Sequence, residues 1–255
     1  MNQPLTGKEV RQLCREGKLT APTPGLASGY TQANLVILPA SVAFDFLLFC
    51  QRNPKPCPLL DVTEVGDPEA RYVAPNSDLR CDLPRYRVWR HGEMVEEVTD
   101  IKHLWRDDFV GFLIGCSFSF EAAMLSANIP VRHIQEAKNV PMYKTNIACT
   151  RAGIFSGNLV VSMRPLSPAD AIKSVQITSR FPLSHGAPIY WGDAAKIGIN
   201  DIDKPDFGDA VTIYDGEAPV FWACGVTPQV ALLQAKPEIA ITHAPGHMFI
   251  TDMKE

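Results

Sequence analysis

The chain has 255 residues, 46% hydrophobic and 20% charged, with 24 Lys and Arg against 28 Asp and Glu for a formal net charge of −4. A chain this apolar can bury a core and is not disordered, and its slight acidity speaks against nucleic acid, whose partners present a basic face. Its length admits one large domain or two closely joined ones.

The start, Met1-Asn2-Gln3-Pro4-Leu5-Thr6, has no apolar run of secretory length. The most hydrophobic stretch, 35–50, is broken by Pro39, Ser41 and Asp45 and falls short of a membrane span. Seven cysteines stand singly at 14, 50, 57, 81, 116, 149 and 224, with no C-x-x-C pair. A cytoplasmic protein with free thiols and no membrane segment is the expectation.

Thr6 caps a short amphipathic segment reaching Leu19, with Val10, Leu13 and Cys14 on one helical face. Residues 34–38 form an apolar run ending at Pro39. A helix with large apolar groups all round follows from Ser41 to about 51 and is stopped by Asn53-Pro54. Residues 59–62 read as the next strand, so this portion predicts a βαβ unit. Residues 64–84, rich in Pro, Asp, Gly and Asn, read as a long connection. Residues 86–89 and 94–98 alternate around His91-Gly92 like a surface hairpin. Residues 109–114 form a fully apolar strand that turns at Gly115-Cys116-Ser117 into a helix over 118–127. Farther on, 142–148 and 158–163 resemble paired strands, and Ser167-Pro168 opens a helix to about 179. Near the end the strand, turn, helix pattern returns as 220–224, Gly225-Val226-Thr227-Pro228 and a helix through Ala235, followed by a strand at 239–242. These elements predict an α/β fold, a mostly parallel sheet flanked by helices, with an inserted smaller α+β subdomain. The predicted division is 1–130 plus 210–255 for the α/β domain carrying an anion pocket, and 131–209 for the insert.

The turn at 115–117 is the main chemical candidate. Unpaired amides and the helix dipole at such a turn receive an anion such as a carboxylate, with Cys116 and Ser117 beside it and Glu121 one turn on. A plain capping role for Ser117 and Glu121 is the structural alternative. The segment also falls one glycine short of a G-x-S-x-G nucleophile elbow. That keeps open a hydrolase using Ser117 or Cys116, with His243 or His247 as base and an acid such as Asp215. His243 and His247 flank Pro245-Gly246 and could shuttle protons. Their spacing with Asp252 is not diagnostic of a metal site, and no metal is expected. Arg164 ends an apolar strand with a fork suited to a carboxylate or to a neighbouring acid. Tyr143, Asn146 and His185 lie on polar islands that could close over the cleft, and Thr227 lies in the second strand-to-helix turn. Nucleotide and zinc-protease motifs do not occur.

The blocks Gln32-Ala33-Asn34, GCSFSFE at 115–121, Val140-Pro141-Met142-Tyr143, 160–165, His185-Gly186-Ala187-Pro188, 221–228 and 243–252 resemble the D-glutamate cyclase family over almost the whole chain. The resemblance implies dehydration of D-glutamate to 5-oxo-D-proline, a hydro-lyase reaction in amino acid metabolism. In that reaction ammonium and carboxylate become amide and water with no net proton, electron or phosphate, so no cofactor is required. It implies no residue roles. On chemical grounds Arg164 and the turn at Ser117 are assigned to carboxylates, Glu121 or His243 to the base, and His247 or Cys116 to the departing oxygen. A small carboxylic acid is the expected partner, a homo-oligomer is left open, and a non-catalytic binder of acidic metabolites is the other alternative.

Overall fold

The computed structural model describes residues 5–254; residues 1–4, part of the start read above for a leader, and Glu255 lie outside the described residues. In chain order the elements are α1 (Gly7–Arg15), β1 (Tyr30–Pro39), α2 (Ala40–Arg52), β2 (Leu59–Val62), β3 (Tyr86–Arg90), β4 (Glu93–Val98), β5 (Phe109–Gly115), α3 (Phe118–Ser126) and α4 (Arg132–Gln135). They continue with β6 (Met142–Ala148), β7 (Asn158–Leu166), α5 (Pro168–Thr178), β8 (Tyr190–Trp191), β9 (Ala218–Ala223), α6 (Val226–Ala235), β10 (Ala240–His243) and β11 (Phe249–Lys254), with short 3-10 turns between. None of the described helices is long and apolar enough to cross a membrane.

Two sheets result, ordered β2-β5-β1-β10-β3-β4 with β11 also on β1, and β6-β7-β9-β8. Every strand pairing among the described residues is antiparallel. The expected mostly parallel sheet flanked by helices is therefore wrong. β1 and β2 do run the same way, as a strand-helix-strand unit requires, but β5 inserts between them and runs against both.

The uninterrupted apolar runs arise from burial on both faces of an antiparallel sheet. Ala33, Leu35 and Ile37 of β1 join one core with Val73, Leu79 and Leu83, all from the connection at 64–84, which serves as a packing layer. Val36 and Leu38 join the opposite core with Phe46 and Phe49 of α2 and Leu232 of α6. A sheet covered on both sides has no polar face, and so loses the alternation that distinguishes antiparallel strands in sequence.

Local signals hold at several ends. Thr6 and Glu9 form a capping box on α1, with Glu9 N–H donating to Thr6 Oγ1 at 3.2 Å and Thr6 N–H to Glu9 Oε2 at 2.7 Å. Ser167 caps α5, with Pro168 in its first turn. Ser41, by contrast, lies inside α2, which begins at Ala40 after Pro39. The second sheet draws on β6, β7 and β8 together with β9, and α6 after β9 bridges the two sheets, with Ala231 and Leu232 in a core of the first and Val226 and Val230 against Val160 of β7.

Candidate active site

Two strand-to-helix turns open on one cavity of about 300 Å³. β5 passes through Cys116 and Ser117 into α3, and β9 passes through Cys224 and Gly225 into α6. Both cap residues have ordinary helical backbone, and neither offers a side-chain cap. Ser119 N–H donates to the Cys116 carbonyl at 3.3 Å and Thr227 N–H to the Cys224 carbonyl at 3.0 Å, and the Phe118 and Val226 amides lie against the two cysteine sulfurs, which leaves the amides of Ser117 and Gly225 without a backbone partner among the described residues. Asn34 of β1 holds the turns together. Its Nδ2 donates to the carbonyls of Ile114 at 3.2 Å and Gly115 at 3.0 Å. The same nitrogen would lie 2.4 Å from a Cβ on Gly225, so only glycine lets the second turn approach.

The far wall comes from a break in the first sheet. β1 pairs with β11 through Gln32 and Ala33 and with β10 through Val36 and Ile37, leaving Leu35 between the two partners. Its amide N–H donates to Nδ1 of His243 at 3.2 Å, a side chain replacing a strand partner. Nδ1 also lies 3.4 Å from the Leu35 carbonyl, and Nε2 lies 3.4 Å from the Gln229 side-chain amide. Burial pulls the His243 pKa down to about 4, so the ring is neutral at neutral pH. The loop between β10 and β11 adds Pro245, Gly246 and Met248 to the lining.

Among the described residues, Arg87 of β3 is the only charged side chain lining this cavity. Its Nε donates to Glu97 at 2.9 Å, and among the described residues its two terminal nitrogens have no hydrogen-bond partner. Apolar groups such as Val140, Met142 and Phe207 complete the lining.

Arg164 is fully buried and does not line the cavity. Its guanidinium pairs with Glu121, donates to Ser162 at 3.1 Å and to Ser117 at 3.4 Å, and lies 5.1 and 5.2 Å from the ring centres of Phe120 and Trp222. Burial would raise the Glu121 carboxyl, but the Arg164 charge and the His133 contact at 3.3 Å outweigh it and hold the pKa below its usual value. Glu121 faces a separate cavity of about 340 Å³ that shares Phe118 and Asn139 with the first. Arg164 thus already holds an acid from its own chain and reaches the first cavity only through Ser117.

Among the sequence candidates, Cys116, Ser117 and His243 are brought together on the cavity, with Glu121 and Arg164 directly behind. The others lie apart from its lining. Tyr143 Oη donates to the Ile202 carbonyl at 2.6 Å within the second sheet's core. Asn146 is exposed beside Gly198. His185 Nδ1 meets the Lys55 carbonyl at 2.8 Å, and burial lowers its pKa to about 4. His247 Nδ1 lies 2.8 Å from the Pro245 carbonyl. Thr227 ties α6 to β7, accepting from Val160 N–H at 3.0 Å and donating to its carbonyl at 3.2 Å. The functional candidates absent from the sequence reading are Arg87, Asn34, Gln229 and Cys224. Only Cys224 carried a signal, the repeated strand, turn and helix pattern.

The hydrolase alternative finds little support in this geometry. Ser117 has φ −67° and ψ −15°, without the strained turn of a nucleophile elbow, and its hydroxyl meets Arg164 rather than an imidazole. A family model described as D-glutamate cyclase matches residues 110–252. The chain belongs to the D-glutamate cyclase family. It is 64% identical over 252 residues to a protein of Geobacillus kaustophilus named "Putative hydro-lyase", covering 99% of this chain and 96% of that one. A Bacillus subtilis relative of the same name is 61% identical over 98% of each chain. One from Stutzerimonas stutzeri is 59% identical over 98% of this chain and 95% of its own. The family match spans both turns, the cavity's His243 and the Arg164–Glu121 pair.

Proposed function

We propose that this family member is a hydro-lyase acting on a small carboxylic acid, with D-glutamate as substrate and 5-oxo-D-proline and water as products. The observation that carries the reading is the cavity's charge pattern. Among the described residues a single cation, Arg87, shares the lining with two helix N-termini, and no acidic side chain joins them. Such a site favours carboxylates at both ends.

In this reading the terminal nitrogens of Arg87 hold one carboxylate while the open amides of a turn receive the other. The bound conformer is bent so that the amine lies against the side-chain carboxyl carbon. Alignment of this kind can supply up to about 7–11 kcal/mol of the barrier reduction. His243, neutral and taken here as the Nε2–H tautomer, donates a hydrogen bond to a carboxyl oxygen as negative charge develops there. Cys116, also in the lining, exchanges protons with the reacting atoms in this reading. Glu121 and Arg164 support the site by holding Ser117 and α3 in place.

The test is to incubate the purified protein with D- and L-glutamate, with and without chelator, and follow masses. Loss of 18 mass units from D-glutamate alone supports the reading. Tight binding of either enantiomer without conversion supports a non-catalytic metabolite binder instead.

A further inference from the structure

The two turns are chemically matched in a way that one helix N-terminus is not. Each follows the last residue of a strand with a cysteine, passes through one residue, and starts a helix whose first amide lies against that cysteine's sulfur. Both sulfurs belong to the lining of the same cavity. They are also near one another. Asn34 alone spans the gap between the turns, and each turn lies in the field of Arg164. The Cys224 thiol donates to the Met142 sulfur at 3.5 Å. Most of the protein's other cysteines are buried away from this cavity.

The geometry points to Cys116 and Cys224 as a paired proton-transfer device, one thiol and one thiolate that together move protons from the substrate nitrogen to the departing oxygen. The inference rests on the cyclisation reading above. Closing the ring forms one N–C bond and breaks one C–O bond. The ammonium nitrogen loses two protons, and the leaving carboxyl oxygen gains two to depart as water. In the first transfer the Cys224 thiolate takes a proton from nitrogen while the Cys116 thiol gives its proton to oxygen. In the second the Cys116 thiolate takes the next proton from nitrogen and Cys224 returns the one it holds. The pair ends as it began, with one proton between two sulfurs, and needs no outside acid, base or electron carrier. A single thiol would have to reset through solvent between the two transfers.

Charged and titratable groups around the pair are Arg164 and Glu121 behind α3, and Arg87 and His243 in the same cavity. Burial pushes the Cys116 thiol up to about 12 and Cys224 to about 11, against the pull of the turn amides and Arg164. The thiolate form is therefore scarce at neutral pH, and kcat/KM should rise about tenfold per unit between about pH 6 and 8.5.

The test is steady-state conversion of D-glutamate, followed by loss of 18 mass units, for the full chain and for Cys116→Ser, Cys224→Ser and the double variant, with thermal melts confirming folding. The pair predicts a fall in kcat of about 100-fold or more in each single variant, KM within about threefold, and a double variant no worse than the poorer single one. Retention of kcat in Cys224→Ser with loss in Cys116→Ser overturns the pair and leaves the cyclisation reading standing. A wild-type protein that converts neither enantiomer overturns both. The pH profile needs no variant, so a flat kcat/KM between pH 6 and 8.5 overturns the pair even if the serine variants fail to fold.

Discussion

Arg164 and Arg87 carry the same guanidinium into opposite settings. Arg164 is completely buried, with its two terminal nitrogens spent on Glu121, Ser117 and Ser162, its Nε enclosed without a partner among the described residues, and its plane near two aromatic rings. Arg87 sits on the cavity wall, tied only through Nε to Glu97, with its terminal nitrogens free among the described residues. A cation that binds a ligand must have donors to give, and a cation that holds a fold has already given them. Strand ends can supply either kind, so the choice rests on which side chains arrive from elsewhere in the chain.

The sharpest way to break this contrast is Arg164→Met. It strands Glu121 in a buried site with only His133 beside it, and removing one partner of such a pair costs about 3–5 kcal/mol. At about 2–4 °C per kcal/mol for a chain of this size, the Tm should fall by about 10 °C in a thermal melt. A melt unchanged from wild type would return Arg164 to the ligand-binding role.

Burial of two histidines should also be visible in acid. His243 and His185 both titrate near 4 in the fold because burial disfavours their charged forms, whereas the unfolded chain binds those protons near 6.5. The unfolded state then holds more protons between those values. Stability is full above about 6.5 and is lost as pH falls toward 4, by about 1.4 kcal/mol per unit per histidine at most. Melts across that range should slope downward into acid. His185→Gln and His243→Gln should each flatten part of the slope.

Arg87→Ala should do the reverse of the Arg164 change, raising KM for D-glutamate by about tenfold or more while leaving stability within about 1 kcal/mol, as befits a partly exposed ion pair. Glu97→Ala is the smallest effect. Freed from its tether, Arg87 should still bind, with KM changed less than about threefold.

Much of the local structure was legible in the sequence. The strand at 59–62, the hairpin at 86–98, the capped helices at Thr6 and Ser167 and the turn at 115–117 all follow from periodicity and end signals. The strands at 142–148 and 158–163 do pair as read, but pairing between strands distant in the chain was not legible. Leu35 and Val36 point to opposite cores, so β1 reads as a buried run whichever way its neighbours travel, and nothing in 64–84 announces that it covers a sheet face. The site divides in the same way. Cys116 and Ser117 are marked by their strand-to-helix turn, and His243 by its place after a buried strand. Arg87 reads as one more polar residue of a surface hairpin, and its value depends on β3 lying beside β10, a contact between residues more than 150 positions apart. Asn34 and Gly225 matter through a close approach that neither shows alone.

Calorimetric titration of 5-oxo-D-proline into wild-type protein, Arg87→Ala and Arg164→Lys tests the anion cavity most directly. The account predicts one site per chain in the wild type, affinity reduced about tenfold or more in Arg87→Ala, and measurable binding in Arg164→Lys wherever that variant folds. Equal affinity in wild type and Arg87→Ala, with binding lost in a folded Arg164→Lys, would contradict it.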